Sequence, residues 1–320
     1  MESVESSMTE PKYTTGQYGL KGMTAGLDGN TPIVPQSDDS LSPGDVQARI
    51  IIQPWYKSRT YLFGGWLDAN VWRAAVLETV GTAFYVYVSG NISTTLSSYN
   101  TTQVGGYVGF GNIALLSIFV YATASATGGH LNPLITFPAI IAGVCPVSRG
   151  ILYLCGQALG GAVAGGVLTG VYGRERSIEV HGGGCYFDGE SITSGQVFLN
   201  EFFASFAYVF LSFGVGVDPK QGVLFGPRLS PLLAGGVLGL VTFATSGIIP
   251  GYAGAQMNPA RCFGYGIARR DMSDQWIWWF APAAAAVISA IVFHISPLHA
   301  SEKDAREMKR AKTLGGIFSA

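Results

Sequence analysis

Asn132-Pro133-Leu134 and Asn258-Pro259-Ala260-Arg261 each join a residue suited to cap a helix with a proline suited to its first turn. Each follows a long apolar segment, and each holds the same place in its half of the sequence. Both read as helix starts, yet both lie where a membrane chain would be re-entering lipid. That combination points to a pore, with the amide N–H groups of Asn132 and Asn258 turned toward whatever passes.

Few other residues could do chemistry. Arg261 follows a run from Leu229 to Ala260 without a single Asp, Glu, Lys or Arg. An intramembrane charge is costly and marks a functional site by default. Glu78 and Glu201 also fall inside apolar segments, and a buried carboxylate needs partners. His130 precedes the first motif and His294 lies in the last apolar segment. Each reads as a hydrogen-bonded interior histidine rather than a ligand or switch. Four cysteines, at 145, 155, 185 and 262, show no metal spacing. No nucleophile–base pair, phosphate loop or metal set is visible, so neither an enzyme nor a cofactor is expected.

The elements that position these residues follow from composition. The 320 residues are 48% hydrophobic and 12% charged, where a soluble domain carries about 25% charged. Further charge-free runs cover Thr79–Ser148, Gly150–Gly173 and Gln275–Ser301. Since about 20 apolar residues cross a bilayer, the class is an all-α polytopic membrane protein. Six spans are expected at roughly 71–90, 106–127, 150–171, 197–217, 231–250 and 276–296. Two shorter pieces, about 132–142 and 258–268, read as re-entrant half-helices, tolerated at membrane depth only beside protein or a water-filled cavity. The order span, span, half-helix, span occurs twice, over 71–171 and 197–296, within a channel domain of 69–298. Three spans per copy is an odd number, so the second copy must be inverted, a known transport architecture.

Residues 1–68 read as a largely irregular tail and 299–320 as a second tail. The start, Met1-Glu2-Ser3-Val4-Glu5, has neither a basic n-region nor an apolar run, so no cleaved signal peptide is expected. Lys57, Arg59, Arg73, Lys220, Arg228 and the basic residues after span six all fall on one side, which makes both tails cytoplasmic. Arg174, Arg176, Arg269 and Arg270 on the other side leave that bias incomplete. The sequons at Asn91 and Asn100 fall in the first outside loop and are candidate glycosylation sites. Small residues at four-residue spacing (Gly156, Gly160 and Ala164; Gly161 and Gly165; Gly166 and Gly170; Gly235 and Gly239) predict close helix contacts. A net charge of −1 gives no reason to expect a nucleic-acid partner.

Over about residues 71–297 these features resemble the aquaporin (major intrinsic protein) family. The resemblance rests on the paired Asn-Pro motifs, the arginine after the second, and a glutamate in spans one and four. Leu134 departs from the alanine usual in the first motif. Within the family the chain is most similar to the X-intrinsic proteins of fungi and plants, through Cys262 after Asn258-Pro259-Ala260-Arg261 and through Gly183-Gly184-Cys185. The resemblance implies six transmembrane helices with two half-helices meeting at the bilayer centre. It also implies Glu78 and Glu201 as braces of the re-entrant loops, and a homotetramer with one pore per subunit. Counted as in the family, the outer filter would be Asn112, Ser246 (or Thr245), Ala255 and Arg261. With no aromatic or histidine in it, that ring is wide and polar. The expected function is passage of water and small uncharged solutes such as glycerol, hydrogen peroxide or urea, excluding protons and ions, in the plasma membrane by default. Cys185 and Cys262 would both lie near the outer mouth and are candidates for a disulfide, free thiols being the alternative. Two other readings remain at this point: an ion-coupled secondary transporter, and a junctional or scaffold membrane protein with a closed pore.

Overall fold

The computed structural model describes Tyr56, residues 58–99 and residues 101–296. Residues 1–55 and 299–320 of the expected tails, and the sequon at Asn100, lie outside the described residues. The chain runs α1 (Arg59–Phe63), α2 (Ala69–Ser98), α3 (Val104–Thr127), α4 (Pro133–Ile141), α5 (Val147–Tyr172) and α6 (Arg174–Glu179). After a 3-10 turn at His181–Gly183 come α7 (Ser194–Ser212), ending in a π-helical turn at Phe213–Val217, then α8 (Pro219–Thr245), α9 (Pro259–Arg269) and α10 (Gln275–Ile295). Among the described residues there is no strand. An isolated antiparallel bridge joins Phe187 to Tyr252.

Among the described residues, five helices are long and apolar enough to cross a membrane: α3, α5, α7 with its π turn, α8 from Leu224, and α10. The sixth long helix, α2, has 30 residues and packs along α5 and α3. Arg73, Glu78, Asn91 and a Ser/Thr-rich end keep it less apolar. α4 and α9 are the two short helices that follow the Asn-Pro motifs, and each starts at the centre and runs outward. Ile140 and Ile141, at the end of α4, meet Tyr61 and His294, while Arg269, at the end of α9, meets Gly184. The two half-helices therefore leave the centre toward opposite faces: α4 toward the face of α1 and the end of α10, α9 toward the face of the 173–193 loop.

Several boundaries moved. The first span, expected at 71–90, continues to Ser98 because no residue there breaks the helix. Asn91 thus stands inside α2, where its Nδ2 donates to Tyr87 O (2.9 Å) and its Oδ1 accepts from the Tyr172 hydroxyl (3.2 Å). Asn91 therefore stands in a helix and not in the outside loop expected for it. The fifth span, expected at 231–250, starts at Pro219, kinks at Gly226 (φ 66°) and stops at Thr245, before Gly247 (φ 76°).

Exposed Phe84, Phe203, Phe210, Leu240 and Phe243 ring the outside, which suits a surface meeting hydrocarbon. Inside, contact is close where the glycines are. A methyl group at Gly161 would stand 2.1 Å from Ala260 O, and one at Gly165 2.1 Å from Gly264 O, so α5 holds the backbone of α9 directly. One at Gly160 would stand 2.4 Å from Thr79 O, and one at Gly239 2.6 Å from Gly109 O. Gly166 and Gly170 face open space, so the expected contact through that pair is corrected. Without a hydrophobic force between helices in lipid, such small-residue contacts supply the packing.

This contrast gives a direct test. Gly165→Ala forces α9 away from α5 and should cost about 1–3 kcal/mol. Melting curves of detergent-purified protein should show a clear fall in Tm for Gly165→Ala and none for Gly166→Ala. Equal Tm values for the two variants would contradict the packing.

Candidate functional site

Asn132 and Asn258 cap their helices. Asn132 Oδ1 accepts from Leu134 N (2.9 Å) and Asn258 Oδ1 from Arg261 N (3.2 Å), with Pro133 and Pro259 at the first helical positions. Their amides also cross between the repeats. Asn132 Nδ2 donates to Met257 O (2.8 Å), and Asn258 Nδ2 donates to Leu131 O (3.3 Å). Each asparagine thus bonds the residue just before the other. One amide hydrogen of each is donated across the repeats in this crossing.

The residues that turn the chain into the half-helices are held in left-handed backbone. Leu131 has φ 51° and Met257 φ 53°, both fully buried, and such φ values are uncommon outside glycine. The two glutamates hold them there. Glu78 accepts from His130 N (3.0 Å), Leu131 N (2.7 Å), Thr127 Oγ1 (2.6 Å) and Gln157 Nε2 (3.0 Å). Glu201 accepts from Gln256 N and, at 3.1 Å, from Met257 N. Two adjacent backbone N–H groups on each carboxylate match the expectation of structural braces.

Arg261 is buried, with NH1 donating to Ser89 Oγ (3.2 Å) and NH2 to Gln256 O (3.0 Å) and Gln256 Oε1 (2.6 Å). These acceptors are neutral, so the charge is oriented without being cancelled. Its Nε makes no hydrogen bond within the protein. Gln256, which the motif reading passed over, fixes the guanidinium from one side while its Nε2 donates to Gly254 O (2.8 Å).

The expected filter ring is brought together only in part. Ala255 is buried, and its N–H donates to Thr245 Oγ1 (3.3 Å). Ser246 Oγ donates back to Thr242 O (2.7 Å), and the residue packs against Gly254 and Gly105. Of the two alternatives, Thr245 is the one whose side chain bonds Ala255. The helix ends earlier than expected, which turns its last residues. Asn112 is buried with Nδ2 donating to Thr242 Oγ1 (3.2 Å), a partner that counting back from the motifs did not reveal.

Of the histidines, His130 pairs its Nδ1 with Thr136 Oγ1 (3.1 Å) and sets its ring edge-on to Tyr153. His294 Nε2 lies 3.1 Å from Ile141 O, tying α10 to the end of α4. Cys185 and Cys262 form a disulfide with Cα atoms 5.4 Å apart, while Cys145 and Cys155 are free. The disulfide fastens the 181–185 segment to the residue after Arg261. The same loop pairs with the approach to the second motif, through Asp188 N to Gly251 O (2.8 Å) and Ala253 N to Tyr186 O (3.3 Å). His181 stacks on Tyr186 there; burial first, and then the charge of Arg269, hold its pKa below the usual histidine value. At neutral pH it adds no charge to this mouth. Asp188, its carboxyl kept below the usual range by hydrogen bonds from Glu190 N and the Ser191 hydroxyl, stays anionic.

This geometry has known relatives. Residues 66–293 match the family model described as Major intrinsic protein. The chain is 32% identical to Aquaporin PIP2-5 of Oryza sativa subsp. japonica, over 73% of this chain and 86% of that one. It is 29% identical to Aquaporin PIP1-1 of Arabidopsis thaliana, over 72% and 81% respectively. The solved structure of the aquaglyceroporin from Plasmodium falciparum superposes with a TM-score of 0.58 at 17% identity, covering 71% of this chain and 97% of that one, and so shares the fold. The chain belongs to the major intrinsic protein family. Membership supports an integral membrane channel for water and small solutes, and not an enzyme.

Two outcomes are expected from the site. Glu201→Ala strips Gln256 N and Met257 N of their acceptor, at about 1–3 kcal/mol per unpaired group. It should lower Tm and abolish flux in reconstituted vesicles, and a variant with unchanged Tm would refute the brace. For the disulfide, Cys185→Ser should lower Tm, since loss of such a link typically costs about 2–5 kcal/mol. Cys185→Ser/Cys262→Ser should be no worse than the single variant. Non-reducing peptide mapping that recovers both cysteines as free thiols would contradict the link.

Proposed function

We propose that this chain is a passive channel for water and small uncharged polar solutes, such as glycerol, hydrogen peroxide and urea, that excludes protons and ions. The crossed asparagine caps are the observation that carries the reading. Two helix N-termini face each other there, each with about half a positive charge from its aligned peptide dipoles. A cation meets a positive potential with few ligands to replace its water. A water molecule accepting from the remaining amide hydrogens must turn its oxygen toward both, which interrupts a proton-conducting chain. Arg261 adds to the barrier for cations and presents donors to a neutral solute. Glu78 and Glu201 are occupied by backbone N–H groups, which speaks against an ion-coupled transporter that would need them to titrate.

The outer ring of this proposal is Asn112, Thr245 with Thr242 beside it, Ala255 and Arg261. None of these is aromatic or a histidine, so the ring is wide enough for solutes larger than water. The chain works as a homotetramer, with one pore per subunit and both termini cytoplasmic, in the plasma membrane. Within the family it groups with the X-intrinsic proteins, supported by Cys262 after the second motif and its partner Cys185 in the Gly183-Gly184-Cys185 run.

Stopped-flow light scattering on proteoliposomes, with a peroxide-sensitive dye inside, tests this. Solute as well as water should pass, and Asn112→Phe should lower solute flux far more than water flux. Fast water flux without any solute flux would overturn the wide ring. Absence of flux would favour a closed, junctional role. Native mass spectrometry should give four chains per particle, and a monomer would refute the assembly.

A further inference from the structure

The first helix of each repeat carries a matching set of four residues on one face, three of them identical. Glu78, Thr82, Tyr85 and Ser89 in α2 match Glu201, Ser205, Tyr208 and Ser212 in α7, at identical offsets of 4, 7 and 11 residues. Those offsets place all four on one side of a helix, and all eight side chains are buried. The glutamates brace the loops, and Ser89 accepts from Arg261. The tyrosines take part in neither of these contacts.

Tyr208 is buried in α7, seven residues after the brace Glu201. Its phenol lies beside the side chains of Asn132 and Ser212. Tyr85 is set edge-on to Phe119, with ring centroids 5.8 Å apart. On the α1 side of Asn132, Tyr208 helps wall a cavity of about 20 Å³ shared with Ser212, His130, Gly128, Gly129 and Leu116. That volume has room for about one water. Ser212 Oγ is buried beside the Tyr208 phenol and this cavity, without a well-formed hydrogen bond to the protein.

We propose that Tyr208 sets the size limit of the pore, at the asparagine layer rather than at the Arg261 ring. Its ring narrows the path to the width of one water. Its hydroxyl and Ser212 Oγ supply the hydrogen bonds a molecule needs after leaving the asparagine amides. A molecule as narrow as water passes this point, whereas a branched polyol is slowed by the ring. The inference rests on the channel reading above and ranks its solutes: water and hydrogen peroxide ahead of urea and glycerol.

The test compares proteoliposomes holding the full chain with those holding Tyr208→Leu and Tyr208→Phe. Tyr208→Leu should raise the glycerol-to-water permeability ratio about tenfold, the effect of a modest drop in one barrier. Tyr208→Phe keeps the ring, so the ratio should stay low while water and peroxide flux fall. An unchanged ratio in Tyr208→Leu, in vesicles that still pass water, would overturn the proposal and leave the channel reading intact. Should Tyr208→Leu pass nothing, Ser212→Leu decides: filling the cavity should cut peroxide and water flux together, and unchanged flux would overturn the proposal. If the unaltered chain passes no neutral solute while Tyr208→Leu passes glycerol, the open-channel reading fails and the assignment of Tyr208 stands.

Discussion

Leu131 and Met257 sit in left-handed backbone at the middle of a membrane protein, where no bulk water can satisfy their N–H groups. Glu78 and Glu201 accept those N–H groups, and the carbonyls of the same two residues accept from Asn258 and Asn132. Backbone N–H and C=O at both turns are therefore satisfied by side chains of the other elements. Two charged residues in apolar helices make sense only on these terms, because an unpartnered carboxylate at that depth would be strongly destabilising. The half-helices can then stand end to end with their positive termini adjacent, an arrangement that repulsion alone would push apart. The crossed asparagine bonds and the glycine contacts of α5 on α9 hold it closed.

A second layer fixes the arginine. Gln256 and Ser89 orient its guanidinium through neutral oxygens. The disulfide from Cys185 to Cys262 pins the loop beside it, and the Phe187–Tyr252 bridge pins the strand-like approach to Asn258. The outer mouth is thus built from distant segments clamped onto one helix terminus. Its shape depends on those clamps more than on the local sequence around Arg261.

The centre of this arrangement was legible in the sequence because it is written in local rules. Asn followed by Pro is a capping signal wherever it stands, and a glutamate in an apolar run announces that it has partners. The doubled order of segments gave the inverted repeat. What was not legible depended on where helices stop and which way their last residues turn. α2 runs on to Ser98 for want of a breaker, which takes Asn91 out of any loop. α8 ends at Thr245, which turns Ser246 toward Gly105 and leaves Thr245 beside Ala255. Gly166 and Gly170 show the right spacing but face away, since periodicity says which residues share a face and not what that face meets. Tyr208 was hidden differently: only alignment of the two repeats on their glutamates, with Tyr85 falling at the same offset, would have singled it out.

The proposed path for neutral molecules is closed to protons by the two facing helix termini. The measurement is paired: osmotic water flux and proton flux, read by an entrapped pH dye under an imposed membrane potential, in the same proteoliposomes. Rapid water flux with proton leakage no greater than in protein-free vesicles is the result the structure predicts. Proton flux rising in proportion to water flux would contradict it, because an unbroken hydrogen-bonded water chain would then run past Asn132 and Asn258.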